Sequence, residues 1–328
     1  RNLLKAYLPR QRWFGAKDQQ IERIVLEPLA VLEGGGTEQM LITLQVKFTS
    51  GAQQSYTLPL LVNWNNHGGL TTSQRAFSLP KVRRGARVGT LMDGATEEAF
   101  FVALAENLRR GRVLPTEGGE IVFSPSPLFH DMDVTGAVRV LHIEQSNASA
   151  IVGDAVLLKV YRRIEEGLQP EIEISRFLTE EAGFPHVPKF LGVMEQVTKE
   201  GRTALAGAFE FVHNQGDAWY VVTDALERML EECALGNVAC ELPDLAFPLD
   251  LGTVIGRRTA EMHVALATPT DNQDFAAEPV EAEDIERWIA DSLAEAERAF
   301  EALDAARKGD LPQSSRECIE LLQSHRDQ

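Results

Sequence analysis

At 328 residues the chain is longer than a typical single domain and can bury a sizeable core, so two or three compact units are expected. Its 44% hydrophobic and 25% charged residues are ordinary globular composition, without low-complexity or collagen-like tracts. A formal net charge of -17 opposes a nucleic-acid backbone, and no apolar run is long enough for a bilayer, so neither nucleic acid nor a membrane is an expected partner.

The chain begins at Arg1 and is expected to be a segment of a longer polypeptide; its opening, RNLLKAYLPRQRWFG, lacks the apolar centre of a signal peptide and reads as helical. IERIVLEPLAVLEGG, EQMLITLQVKFTSGAQQSYTLPLLVNW and QRAFSLPKVRRGARVGTLMDG follow as strand-like runs separated by Gly, Pro and polar residues. They predict a small β-rich domain over residues 1–90. ATEEAFFVALAENLRRG (95–111) predicts a helix with Phe100, Phe101 and Leu104 on its apolar face and Gly111 as its stop.

A second unit, 91–212, carries strands in EIVFSPS, AVRVLHIEQS, ASAIV and AVLLKVYRR, the last two joined by Gly153-Asp154 as a two-residue hairpin turn. In PEIEISRFLTEEAGFP, Pro170 pre-sets a first helical turn, Glu171 and Glu173 sit near the positive helix end, and Gly183 closes it. KFLGVMEQ and TALAGAFEFV follow, and a five-stranded sheet carrying one helix is expected from these runs. From Asn214 onward, over 213–328, the pattern is helical. His263, in LGTVIGRRTAEMHVALA, reads as a core or cleft-wall histidine, with no second ligand at metal spacing. The acidic stretch 278–304 reads as a helix with a solvated face. Cys233, Cys240 and Cys318 lack metal-ligand spacing and fit a reducing cytoplasm better than a disulfide framework.

Lys159 interrupts an apolar, β-branched strand, VLLKVY, and is either an edge charge that blocks strand pairing or a working charge. On the third strand of such a sheet it would contact nucleotide α- and β-phosphates, with Glu173, fourteen positions on, holding its ammonium. Glu171 is the rival carboxylate, since helix periodicity alone does not separate the two. Ser146, Asn147, Ala148 and Ser149 stand where kinases usually carry a Gly-rich loop; they are either a cover for phosphates or a polar hairpin turn. An adenine edge would need one backbone acceptor and one donor, which the carbonyl of Glu210 and the amide of Val212 would supply; the plain reading is an ordinary strand end. Asn214, Gln215 and Asp217 are turn formers or part of a cleft rim.

Taken together, LPRQRWFGAK (8–17), EQSNASAIVGDAVLLKVYRR, PEIEISRFLTE, FEFVHNQGDAW and GRRTAEMHVALA resemble the bacterial maltokinases, including the kinase domains fused behind trehalose synthase. The resemblance implies an α+β, protein-kinase-like fold of two lobes, similar to aminoglycoside phosphotransferases, with a β-rich N-terminal cap. It implies transfer of phosphate from ATP, with Mg²⁺, to maltose, giving maltose 1-phosphate for glycogen or α-glucan synthesis. By position, Lys159 matches the family's phosphate-binding lysine, Glu173 its helix partner, Ser146 to Ser149 its phosphate-covering turn, and Glu210 and Val212 its adenine hinge. The family's HGD-type catalytic loop and later metal-binding Asp have no match. FHDMD (129–133) precedes the lysine, KGDL (308–311) lacks the histidine, and DFAAE (274–278) follows no such loop. The chain is therefore expected to hold an incomplete C-lobe, no catalytic residue and no Mg²⁺ ligand, and to be inactive alone. The competing expectation is a non-catalytic regulatory or glucan-binding module.

Overall fold

The computed structural model describes residues 2–35, 38–64, 78–141, 146–167, 169–214, 216–234, 246–309 and 311–326. In chain order these form α1 (Asn2–Tyr7), β1 (Ile21–Leu32), β2 (Gln39–Phe48), β3 (Gln53–Asn63), β4 (Ser78–Arg84), β5 (Arg87–Asp93) and α2 (Glu98–Arg109). Then come β6 (Val113–Thr116), β7 (Gly119–Pro125), β8 (Val138–Leu141), β9 (Asn147–Val152), β10 (Val156–Tyr161), β11 (Arg163–Ile164), α3 (Pro170–Arg176), β12 (Phe190–Thr198) and β13 (Arg202–Glu210). The helices α4 (Ala218–Ala234), α5 (Ala246–Leu266), α6 (Ala282–Arg307) and α7 (Gln313–Ser324) follow.

Strand alternation builds the cap. In β2, Ile42, Leu44, Val46 and Phe48 share one face and are all buried, meeting Ile24 of β1 and Tyr56 and Leu58 of β3. Trp13 and Phe14, just after α1, close that face: the Phe14 ring lies 5.2 Å from Tyr56 and the Trp13 ring 5.8 Å. Thus RQRWFG, a string without helical or strand period, is a lid of core aromatics. The sheet runs β1-β2-β3-β5-β4. The outer edge of β3 is shared, its Leu60–Asn63 end pairing with β5 and its Ser55–Tyr56 end with β11.

The second sheet runs β6-β7-β12-β13-β10-β9-β8, every pair antiparallel. It has seven strands where five were expected: EIVFSPS, as β7, pairs along the free edge of β12 from Gly192↔Pro125 to Thr198↔Gly119, and β6, not expected as a strand, pairs outside it. Periodicity marks a strand but does not choose its partner. Phe100, Phe101, Leu104 and Leu108 of α2 pack into this sheet's core, and Leu29, Leu32 and Leu41 of the cap sheet enter the same core. Farther along, the two sheets part around a polar cavity of about 220 Å³ lined by Glu27, Thr43 and Gln45 on one side and Gln196, Thr198 and Thr203 on the other.

The local signals hold. Gly153 and Asp154, at φ +60 and +54, turn β9 into β10, in a loop one residue longer than the two expected because Val152 pairs with Val156 and Ala155 is also in the turn. Asp154 is the one non-glycine with positive φ among the described residues. Pro170 is the first residue of α3, Gly183 ends the following turn at φ +60, and Gly111 ends α2 at φ +57.

Two readings change. Cys233 is disulfide-bonded whereas Cys318 is free and exposed, so the expectation of reduced thiols throughout fails at Cys233; Cys240 lies outside the described residues. His263 is exposed on α5 rather than set in a core or cleft wall. Of the turn formers, Asn214 and Asp217 are seen and Gln215 falls outside the described residues. The contacts divide the chain into residues 1–268 and 269–328. Within the second unit α6 begins with a capping box of Glu281 and Asp284, and Gln323 of α7 donates to Asp304 of α6 at 2.6 Å. Among the described residues no helix is long and apolar enough to cross a membrane.

Candidate functional site

β10 is a central strand, with β13 on one side and β9 on the other, so Lys159 is not an edge decoration. Its neighbours alternate: Val156, Leu158 and Val160 are buried in the core, whereas Lys159 and Tyr161 share the opposite face. Helix α3 lies over that face with its first turn at Lys159. The Lys159 Nζ is 2.8 Å from Glu171 Oε1, and the Tyr161 hydroxyl donates to Glu171 Oε2 at 3.0 Å. One carboxylate therefore holds the ammonium and the phenol side by side, its two oxygens used separately. The Gln169 side chain accepts from the Glu171 N–H at 2.6 Å, which fixes where the helix begins.

This ion pair gives Lys159 the carboxylate of Glu171, the rival that the sequence left open beside Glu173. Both stand in the first turn of α3, but two residues are about 200° apart around a helix, and the entry set by Gln169 and Pro170 turns Glu171 toward the strand. The close approach of α3 depends on Gly207, which sits directly opposite Lys159 on β13. A Cβ at 207 would come within 2.6 Å of Ile172 Cδ1 and 2.8 Å of the Phe209 ring. Ile172 is the buried anchor of α3, so the missing side chain lets the helix, and Glu171 with it, come down onto the sheet.

Of the expected phosphate cover, only Ser146 precedes a strand, and it is exposed. Asn147 opens β9 opposite Tyr161, and Ser149 lies opposite Lys159, fully buried. Ser149 therefore shares the face of Lys159 and is buried beside it rather than standing in a loop. Because strand β9 starts at Asn147, SNAS is not a four-residue turn. At the other end of the site the Glu210 N–H is committed to the Lys189 carbonyl at 2.9 Å and the Phe211 N–H to the Ala155 carbonyl at 2.8 Å. The Val212 N–H has no protein acceptor among the described residues, and Val212 is half exposed. An extended segment that leaves the sheet with a free N–H fits an adenine edge.

The strand bearing Lys159 continues into the cap through Arg162. Its Nη2 donates to both Asp93 carboxylate oxygens, at 3.0 and 2.9 Å, and both side chains are almost wholly buried. The Tyr7 hydroxyl faces the same carboxylate at 3.4 Å, and burial, with the Asp93 charge added to it, pushes the Tyr7 phenol well above the usual tyrosine range. Tyr161, Gly207 and the Arg162–Asp93 pair were absent from the sequence reading. Tyr161 alone had a signal, its two-residue spacing from Lys159.

The segments tested against the missing catalytic loop are structural where described. Phe129 is buried, and Asp133 accepts from the Thr135 N–H at 2.9 Å and hydroxyl at 2.7 Å, bonds that hold its carboxyl below the usual range. The DFAAE segment opens with a turn in which Asn272 accepts from the Asp274 N–H. Among the described residues no group of three or more His, Cys, Asp or Glu side chains could hold a metal ion.

The architecture is mixed α and β and kinase-like: antiparallel strands, a lysine on a central strand, and a short helix whose carboxylate pairs with it. Residues 7–102 match the maltokinase N-terminal cap domain. Over 189 residues, 56% of this chain, it is 27% identical to a glucosamine kinase of Mycolicibacterium smegmatis, of which it covers 42%. A solved glucosamine kinase structure, crystal form B, aligns at TM-score 0.50 and 19% identity over 98% of this chain and 61% of the other. A glucosamine kinase in complex with glucosamine, ADP and inorganic phosphate aligns at TM-score 0.48 and 20% identity over 91% and 56%. The chain thus spans less than two thirds of these relatives' length. The cap match is confined to the first third of the chain, and the likeness to crystal form B shows a shared kinase-like fold.

Proposed function

We propose that these residues form the nucleotide-binding part of an ATP-dependent sugar kinase, with maltose as the phosphoryl acceptor. The observation that carries the reading is the Lys159–Glu171 ion pair at 2.8 Å on a central strand. A lysine held this way meets phosphate as a pre-organised charge, its rotamers already restricted. Bound ATP would supply the phosphoryl group. Lys159 would then hold its phosphates, and the Glu210 carbonyl and Val212 N–H would take its adenine edge. The described residues offer no cluster that could hold Mg²⁺, so its ligands would come from outside them.

Maltose as acceptor rests on the cap match; the relatives named for glucosamine favour an amino sugar as the second reading. Because no HGD-type loop occurs in the 328 residues, these residues alone are proposed to bind nucleotide without transferring phosphate. A cytoplasmic location and fusion to a trehalose synthase are part of the same proposal, as are the limits 1–90, 91–212 and 213–328 for cap, N-lobe and partial C-lobe. A regulatory or glucan-binding module is the rival outcome.

Fluorescent-nucleotide binding, with competition by ATP and ADP, tests the core of this. Wild type should bind and Lys159→Met should bind at least tenfold more weakly with unchanged thermal stability. Equal affinities would remove Lys159 from the site. Coupled ADP-release assays with maltose and with glucosamine should show no turnover; turnover abolished by Lys159→Met would show that catalysis is complete within these residues.

A further inference from the structure

We infer that the cap sheet is a positioning element for Lys159, acting through Tyr161 and Arg162 at the end of the same strand. The only link to the nucleotide reading is that Lys159 serves phosphate; the mechanical part stands on geometry. From Lys159 to Ile164 the chain makes six attachments in six residues. Lys159 and Tyr161 each take one oxygen of Glu171. Arg162 leaves the ladder of the second sheet and places its guanidinium on Asp93, at the end of cap strand β5. Its carbonyl accepts from the Thr57 N–H of β3 at 2.8 Å, and Arg163 and Ile164 then pair with Tyr56 and Ser55 of the same strand. The end of β10 is thereby part of the cap's own sheet.

The Arg162 pair is an expensive way to join two sheets. Its Nε and Nη1 are buried without a hydrogen-bond partner, and the guanidinium lies 5.1 Å over the Trp13 ring. An apolar pair of similar volume would bury as well and leave nothing unsatisfied. What an apolar pair would lack is direction: Nη2 bonded to both Asp93 oxygens, with the guanidinium held over Trp13, fixes where the end of the strand sits. Asp93 is itself pinned, accepting from the Ala95 N–H at 3.1 Å and facing the Tyr7 hydroxyl. Residues of the N-terminal helix, the cap sheet and the lysine strand therefore share one carboxylate. A displacement of the cap relative to the second sheet is transmitted to Tyr161, two residues from Lys159 on the same face, and so to Glu171.

The test uses the full chain with two independent readouts at a temperature well below every midpoint. The first is the rate at which an amine-reactive acyl reagent modifies Lys159, read by mass spectrometry; the second is ADP affinity. Tyr161→Phe should leave the thermal midpoint within about two degrees, raise Lys159 labelling several-fold and weaken ADP about fivefold. Arg162→Met should lower the midpoint, raise labelling at least as much and weaken ADP tenfold or more, with partial rescue by Arg162→Lys. Ile24→Ala, in the cap core on β1 and separated by β2 from the strand that Arg163 and Ile164 join, should lower the midpoint with labelling and affinity unchanged. If Tyr161→Phe and Arg162→Met leave Lys159 labelling within twofold of wild type, the inference is overturned. If labelling responds as stated but ADP does not bind wild type, the positioning stands and the nucleotide reading fails.

Discussion

Glu171→Gln changes one charge at the centre of the site and nearly nothing in shape. The lost carboxylate stood 2.8 Å from the Lys159 ammonium, a gross Coulomb attraction of about 6 kcal/mol at an effective dielectric of about 20. Most of it is offset by desolvation and by the ordering of two side chains that keep 21% and 35% exposure, leaving a net of about 1 kcal/mol for stability. The larger effect falls on binding. A lysine released from its partner regains rotamer freedom that nucleotide must again remove, on the order of 1.5 kcal/mol. That corresponds to roughly a tenfold rise in Kd. Glu173→Gln, two positions on, should stay within twofold. Fluorescent-nucleotide titration paired with urea unfolding of both variants measures this. A larger loss of affinity for Glu173→Gln than for Glu171→Gln would refute the assignment and restore the partner expected from the sequence.

Gly207→Ala should force Ile172 away from the sheet, costing about 1–3 kcal/mol in urea unfolding and weakening nucleotide binding as Glu171 is carried off with it. Asp93→Ala should cost about 3–5 kcal/mol, because it strands the buried Arg162 charge, measured as a fall in urea midpoint at constant slope. The raised Tyr7 phenol gives a pH dependence whose sign is fixed: the unfolded chain ionises near pH 10 while the folded chain keeps the phenol neutral. Its contribution is fully present below pH 10 and is lost as pH rises above that value. Tyr7→Phe should flatten the loss of stability between pH 10 and 11, and an unchanged slope would place the alkaline sensitivity elsewhere.

What was legible in the sequence is what neighbouring residues decide. The Gly153-Asp154 turn, the start of α3 at Pro170 and its stop at Gly183 depend on backbone conformations that a few adjacent residues set, and they stand where expected. Lys159 was visible as a charge in an apolar strand. Its partner was not, because choosing between Glu171 and Glu173 needs the angle at which α3 enters, and that angle depends on Gly207, across the sheet. Asp93 is 69 residues from Arg162, and no local pattern connects them. Ser149 looked like part of a polar turn because its composition is that of a turn, yet the ladder with β10 claims it for a buried strand. The seven-stranded sheet was missed for the same reason, since the edge of β12 that β7 joins, carrying β6 with it, lies elsewhere in the chain.

The run from Lys159 to Arg162 also limits how such chains can vary in length. In an extended strand each added or deleted residue reverses the side of every residue beyond it. One insertion between Lys159 and Tyr161 would send the phenol into the apolar core and leave one oxygen of Glu171 unclaimed. Deleting Arg163 would pull the guanidinium of Arg162 off Asp93 or drag Ile164 out of register with Ser55. Substitutions are therefore far better tolerated across this stretch than changes of length, and homologues with different loops should all keep the spacing Lys-x-Tyr-Arg. A sequence with a gap inside it would have to build the junction between its sheets by other means.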